Sequence, residues 1–270
     1  MVNFRMNPTS ELYQSLQVAY EHFNQYLFEG ELPEVIFTVQ RKKGVTGYFA
    51  QERWGNLSGK KCHEIAINPS YIANSRLIEV MQTLVHEMVH CWQFCYGRPG
   101  RGNYHNMQWA KKMINIGLMP SSTGEPGGVI TGEYMADYII QNGLFLNSFN
   151  ILKENNQFQL SWIDRKALPR LFDPIICATN FNNLNDDKSS STVGVVNQIA
   201  SYKDTDKLTE YDPSKEKSFS EILPKTFIFE DVPKKPTRIR YFCVGCSTIL
   251  YGKANLNINC NDCDIQFKGE

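Results

Sequence analysis

The chain has 270 residues, 42% of them hydrophobic, with 28 basic side chains balancing 28 acidic ones. That length and apolar content can bury one sizeable core and a smaller one, and no run of eighteen or more apolar residues is present to span a membrane. Zero net charge excludes a bulk electrostatic pull toward nucleic acid.

Asn7-Pro8 is a good helix start, with asparagine as cap and proline in the first turn. Leu12, Leu16, Ala19, Phe23 and Leu27 then recur at helical spacing until Gly30, and His22 falls on the polar side as a surface residue. Strand-like segments follow at Val35 to Gln40, Thr46 to Gln51 and His63 to Asn68, flanked by Arg41, Lys42, Lys43, Lys60 and Lys61. Residues 76–96 carry neither glycine nor proline and are apolar almost all round, and Asn74 or Ser75 can cap their start. A helix so apolar belongs inside a domain.

Inside that helix stands His86-Glu87-Met88-Val89-His90. Residues four apart share a helix face, so His86 and His90 can hold one zinc ion. Glu87 is then placed to take a proton from the attacking water. Two buried histidines and a carboxylate without partners would be costly, which sets the metal reading above that of satisfied core histidines.

A catalytic zinc usually keeps three protein ligands and one open position. His105 follows a turn rich in glycine and arginine, Gly97 to Gly102, and opens a second helical pattern carrying Met107, Trp109, Ala110, Met113 and Ile114. That loop is long enough to return the chain to the metal, so His105 is preferred to His63, which lies in a strand-like segment beside Cys62. Tyr104, Tyr96 and Arg101 are candidate donors for the oxyanion of an acyl-transfer step. Cys91 and Cys95 share a face of the metal helix, as small buried hydrophobes or an accessory metal or redox pair. Cys62 and Cys177 carry no assigned chemistry.

Beyond the ligand helix, Pro120 to Gly128 form a loop rich in glycine and proline, Met135 to Gln141 look helical, and Phe158 to Ile163 alternate like a strand. From about Asn180 to Pro236 polar residues dominate without apolar periodicity, as in a flexible linker, with Phe219 and Ile222 to Phe229 as docking segments. Cys243-Val244-Gly245-Cys246 and Cys260-Asn261-Asp262-Cys263 then form two knuckles that can place four thiolates around a structural zinc. Disulfides are disfavoured because Met1 to Arg5 lack the apolar core of a secretion signal, and a cytoplasmic setting is expected, nucleoid-associated or nuclear according to the host. Lys234, Lys235, Arg238 and Arg240 precede the ribbon and are candidate nucleic-acid contacts, as Arg98 and Arg101 are beside His105. Solvated surface is the competing reading of each basic run.

The segment Leu84 to His90, with His105-Asn106-Met107-Gln108-Trp109 downstream, resembles the SprT-like metalloprotease family, which includes the Spartan proteases. Gly47-Tyr48-Phe49 and Glu64 to Pro69 are similar to that family's strands, and Tyr241 with the first cysteine knuckle resembles its ribbon. The expected architecture is α+β: a zincin-like protease domain over residues 1–118, an extension packed on it over 119–179, a linker over 180–236 and a zinc ribbon over 237–270. Either the strand near Gly47 to Arg53 or that at His63 to Asn68 would be the edge that binds substrate backbone. The resemblance implies a zinc endopeptidase with one catalytic and one structural zinc. It also implies a protein substrate bound or crosslinked to DNA, gating by single-stranded or damaged DNA, and a role in DNA repair. The alternatives are a non-catalytic nucleic-acid-binding or adaptor protein with structural metal sites, and hydrolysis of a non-peptide bond.

Overall fold

The computed structural model describes residues 7–155, 158–172, 215–230 and 238–269. Contacts divide the chain into two compact units, Met1–Glu230 and Asp231–Glu270.

The first unit opens with α1 (Pro8–Leu27), whose cap Asn7 accepts a hydrogen bond from the Ser10 amide. Its stripe Leu16, Ala19, Tyr20, Phe23 and Leu27 is buried, as helical spacing requires. His22 is not a free surface residue. Its ring bonds the carbonyl and hydroxyl of Ser148 and packs on Tyr26, because a second helix lies against that side of α1.

Strands β1 (Val35–Val39), β2 (Gly47–Gly55) and β3 (Lys61–Ile67) form a sheet in the order β1-β3-β2, with β3 parallel to β1 and antiparallel to β2. β3 is therefore central and β2 is an edge. The register of β2 shifts between Ala50 and Trp54, where Glu52 takes a φ of +45°. Buried Glu64 of β3 ties the two halves of β2 together across this bulge. Its carboxylate accepts from Tyr48 Oη at 2.8 Å and Trp54 Nε1 at 2.7 Å, and from Thr38 and Gln40 beside them. Hydrogen bonds to a charged acceptor are the strong ones, which suits them to fixing an edge strand.

After the single turn α2 (Pro69–Ile72) comes α3 (Leu77–Tyr96), buried on most sides between the sheet and the remaining helices. Neither Asn74 nor Ser75 caps it. The Asn74 amide donates to Leu168 and the Ser75 hydroxyl to Tyr71, and the Arg76 amide is satisfied by the Glu79 carboxylate instead. Ile65 and Ile67 of β3 belong to one core with Leu84, Val85 and Met88 of α3.

The helix α4 (Met107–Asn115) leads directly into a hairpin of β4 (Leu118–Ser121) and β5 (Ala136–Ile139), followed by α5 (Leu144–Glu154). Met135 to Gln141 are thus mainly a strand, not a helix: Ala136, Tyr138, Ile139 and Ile140 are all buried, so no alternation marks the segment. Phe158 to Ile163 form no strand; Phe158 and Leu160 are buried by alternation alone. Leu118, Ile139, Phe145, Phe149, Leu152 and Leu160 share one core with α1 and α3, and Phe145 stacks on Phe23 at 5.7 Å.

Of the expected linker, residues 180–214 and 231–236 lie outside the described residues. Residues 215–230 form α6 (Phe219–Ile222) and β7 (Phe229–Glu230), which pairs in parallel with β6 (Lys166–Ala167). Phe219 packs against the main core, while Ile222 is exposed.

The second unit consists of β8 (Ile239–Phe242), β9 (Ile249–Gly252), β10 (Asn259–Cys260), β11 (Ile265–Gln266) and β12 (Lys268–Gly269). β8 lies between β9 and β12, and β10 pairs with β11. Tyr241, Cys243, Cys260 and Phe267 form its small core. No helix among the described residues is long and apolar enough to cross a membrane.

Candidate metal centres

Four residues apart on α3, His86 and His90 present their rings on one side of the helix, with centroids 5.2 Å apart. His105 reaches them differently from the expectation. It precedes α4 instead of standing in it, and an antiparallel bridge to Gly132 holds its backbone. Asn106 then caps α4 by accepting from the amides of Gln108 and Trp109. The same side-chain oxygen accepts from Gln93 of α3 at 2.7 Å, so the ligand turn is tied to the helix it must face.

The ligand nitrogens of His86, His90 and His105 lie within 4.8 Å of one another, and His90 Nε2 stands 3.1 Å from His105 Nε2. Two imidazole nitrogens bound tetrahedrally at normal zinc distances would be ~3.3 Å apart. The three residues therefore fit a metal ion of that size. Buried Trp109 backs the cluster, with its ring centroid 4.4 Å from His105, 4.9 Å from His86 and 5.5 Å from His90.

The electrostatics suit ligation. Burial, then the charge of His86, lowers His105 to about 4, and the same two causes hold His90 well below the ordinary histidine value. Both are thus neutral rings with lone pairs to offer. Burial would lower His86 too, but its hydrogen bond to Asp137 and the charges of Glu87 and Asp137 outweigh that and raise it. Glu87 is buried, and burial pushes its carboxyl up to about 7 against the opposing pull of His86 and a hydrogen bond from the Phe49 backbone.

Asp137 was not among the residues anticipated from sequence. Its Oδ2 accepts from His86 Nδ1 at 2.9 Å, and its Oδ1 from Gln82 Nε2 at 2.7 Å. The one signal for it was chemical: a lone acid within the apolar run Met135 to Ile140.

His63 does not join this cluster. It accepts from the Glu52 amide through Nδ1, and its Nε2 stands 3.8 Å from Cys95 Sγ. The Tyr96 hydroxyl donates to the Glu31 carbonyl, while Tyr104 and Arg101 are exposed in the loop before His105. Arg41, Lys60 and Lys61 pair with Asp164, Glu34 and Glu52, and Lys42 sits over the Tyr48 ring. Lys234, Lys235 and Cys177 lie outside the described residues.

The second centre is local. Cys243, Cys246, Cys260 and Cys263 bring their sulfurs within 4.8 Å of one another, and Cys246 Sγ is 3.6 Å from Cys260 Sγ. Thiolates around a tetrahedral zinc would stand ~3.8 Å apart, so this set fits as well. The Thr248 hydroxyl and amide favour the Cys246 thiolate, lowering it to about 6. Arg238 and Arg240 are exposed on this unit, and Arg240 lies over the Phe242 ring at 5.7 Å.

These observations define a mixed α/β protein with a three-histidine and a four-cysteine candidate metal site. The model of the SprT-like family matches residues 16–126. A Salmonella typhimurium protein described as "Uncharacterized protein in mucB 3'region" is 46% identical over 59 residues, covering 22% of this chain and 80% of that protein. No solved structure matches. The chain belongs to the SprT-like family, which suggests a metalloprotease-type function.

Proposed function

We propose that the chain is a zinc-dependent endopeptidase with a zincin-like catalytic domain, acting on DNA-associated or DNA-crosslinked proteins. The observation that carries the reading is the 3.1 Å approach of His90 and His105 beside buried Glu87, which follows His86 in the chain. Zinc held by His86, His90 and His105 would supply Lewis acidity at the scissile carbonyl and for the attacking water.

The chain's own residues supply the rest. Glu87 takes the water proton on its carboxylate and delivers it to the departing amide nitrogen. Buried and next in the chain to His86, Glu87 is placed for both halves of that transfer. The edge strand β2 has no strand neighbour on its outer side among the described residues, and the Phe49 backbone on it bonds Glu87. A substrate strand paired there would bring its backbone to the reacting groups. Tyr104 or Arg101 would donate to the carbonyl oxygen. The four-cysteine unit, with Arg238 and Arg240, would recruit nucleic acid through phosphate contacts.

The test compares wild type with Glu87→Gln on a protein crosslinked to single-stranded DNA and on the same protein without DNA. Wild type should cleave the crosslinked form faster, with Glu87→Gln slowed at least about 100-fold at unchanged metal content. A fully metallated wild type that leaves both substrates intact defeats the protease reading. Equal cleavage of both substrates defeats the DNA reading alone.

A further inference from the structure

We infer that Asp137 is the positioning residue of the three-histidine centre, fixing the His86 ring so that Nε2 faces the metal. This rests on the reading of His86, His90 and His105 as metal ligands.

A carboxylate only accepts, so at 2.9 Å the proton between the two side chains belongs to His86 Nδ1, and Nε2 is the nitrogen left to face the metal. The carboxylate cannot swing away. Gln82 Nε2 donates to Oδ1 at 2.7 Å and to the Asp137 main-chain carbonyl at 2.6 Å. Gln82 lies four residues before His86, so the helix that presents the ligand also clamps its partner. Strand pairing fixes the remaining freedom, with Asp137 opposite Pro120 in the hairpin that follows α4.

Burial points the same way: the Asp137 side chain is 6% exposed, and its Oδ2 lies 2.9 Å from His86 Nδ1. His105 is oriented by the same stretch of chain, where Nδ1 donates to the Gly132 carbonyl at 3.0 Å. Residues 132 and 137 both lie beyond the 16–126 span matched by the family model. The segment after α4 therefore supplies a hydrogen-bond partner to two of the three histidines.

The experiment uses the full chain, with zinc as probe. Affinity is measured by competition with a chromogenic chelator for wild type, Asp137→Ala, Asp137→Asn and His90→Ala, with the four-cysteine site as internal reference. Loss of an acceptor behind a metal-bound histidine typically costs 10- to 100-fold in affinity. That loss is expected at the histidine site of both Asp137 variants, with the cysteine site unchanged. Asparagine is nearly isosteric, so it guards against loss of folding. It cannot accept from both Gln82 and His86, so ¹⁵N spectra of its metal-free form should show the His86 proton moved from Nδ1 to Nε2. A purely packing role for Asp137 would leave that tautomer in place. Affinities within twofold of wild type with an unmoved tautomer overturn the inference alone. If wild type takes up one zinc, unaffected by His90→Ala, the ligand reading falls and the inference with it.

Discussion

Replacing Gly47 with alanine tests whether the edge strand and the helix bearing Glu87 are set by contact. A Cβ built on Gly47 would lie 2.9 Å from the Ala66 carbonyl oxygen, 2.9 Å from Thr83 Cγ2 and 3.4 Å from Glu87 Cγ. Carbon atoms rest at about 3.5–4.0 Å, so the Thr83 contact alone demands a shift of roughly 0.6–1 Å. The helix is held in the core by Leu84, Val85 and Met88, which leaves β2 as the element that must move. Overpacking of this kind costs about 1–3 kcal/mol, or roughly 4–8 °C of melting temperature for a loss near 2 kcal/mol in a domain of this size. On the proposed protease reading, the catalytic effect should be larger than the stability effect suggests. A misplacement of about 1 Å can cost on the order of 100-fold in rate, and β2 carries the Phe49 backbone that bonds Glu87. Proteolysis of a protein substrate, zinc content and thermal melting are measured on Gly47→Ala and on Gly47→Ala with Thr83→Ser. The second substitution removes Cγ2 but leaves the Ala66 clash, so it should restore part of the rate. Wild-type activity and melting in Gly47→Ala would refute the close approach of β2 to α3. A double variant no better than the single one would place the clash wholly in the sheet.

The remaining predictions concern acid stability and the second centre. Burial lowers the His22 pKa, partly offset by its bond to the Ser148 backbone. As pH falls through the ordinary value of 6.5, the unfolded chain therefore takes up a proton that the folded chain refuses, and stability drops. His22→Asn should flatten the fall in melting temperature between about pH 7 and 5 relative to wild type; equal slopes would refute this. Cys260→Ser should remove one zinc per chain and collapse the amide dispersion of residues 238–269, since structural zinc contributes about 10–16 kcal/mol to such modules. Melting of the Met1–Glu230 unit should be unchanged, because that unit has its own core; a parallel loss there would contradict the division.

What could be read in advance was what depends on near neighbours in the chain. α1 and its Asn7 cap, the apolar α3 and the two cysteine knuckles each declare themselves within about twenty residues, by helical period or ligand spacing. α5 could also have been read, since Phe145, Phe149 and Leu152 keep helical spacing after Asn142-Gly143. β5 could not, because a strand buried on both faces loses its alternation and Met135 to Gln141 mimic a helix. The cap of α3 was misplaced for a related reason: Asn74 and Ser75 are good cap residues locally, but Leu168 and Tyr71 claim their side chains. Asp137 is the sharpest case. An acid among apolar residues is visible as an anomaly, but its partner lies 51 residues away, and only the pairing of β4 with β5 brings them together. A motif on one helix can announce its metal ligands because a turn of helix fixes their spacing. The groups that orient those ligands come from wherever the fold brings an acceptor within reach of Nδ1, and that distance has no period in the chain.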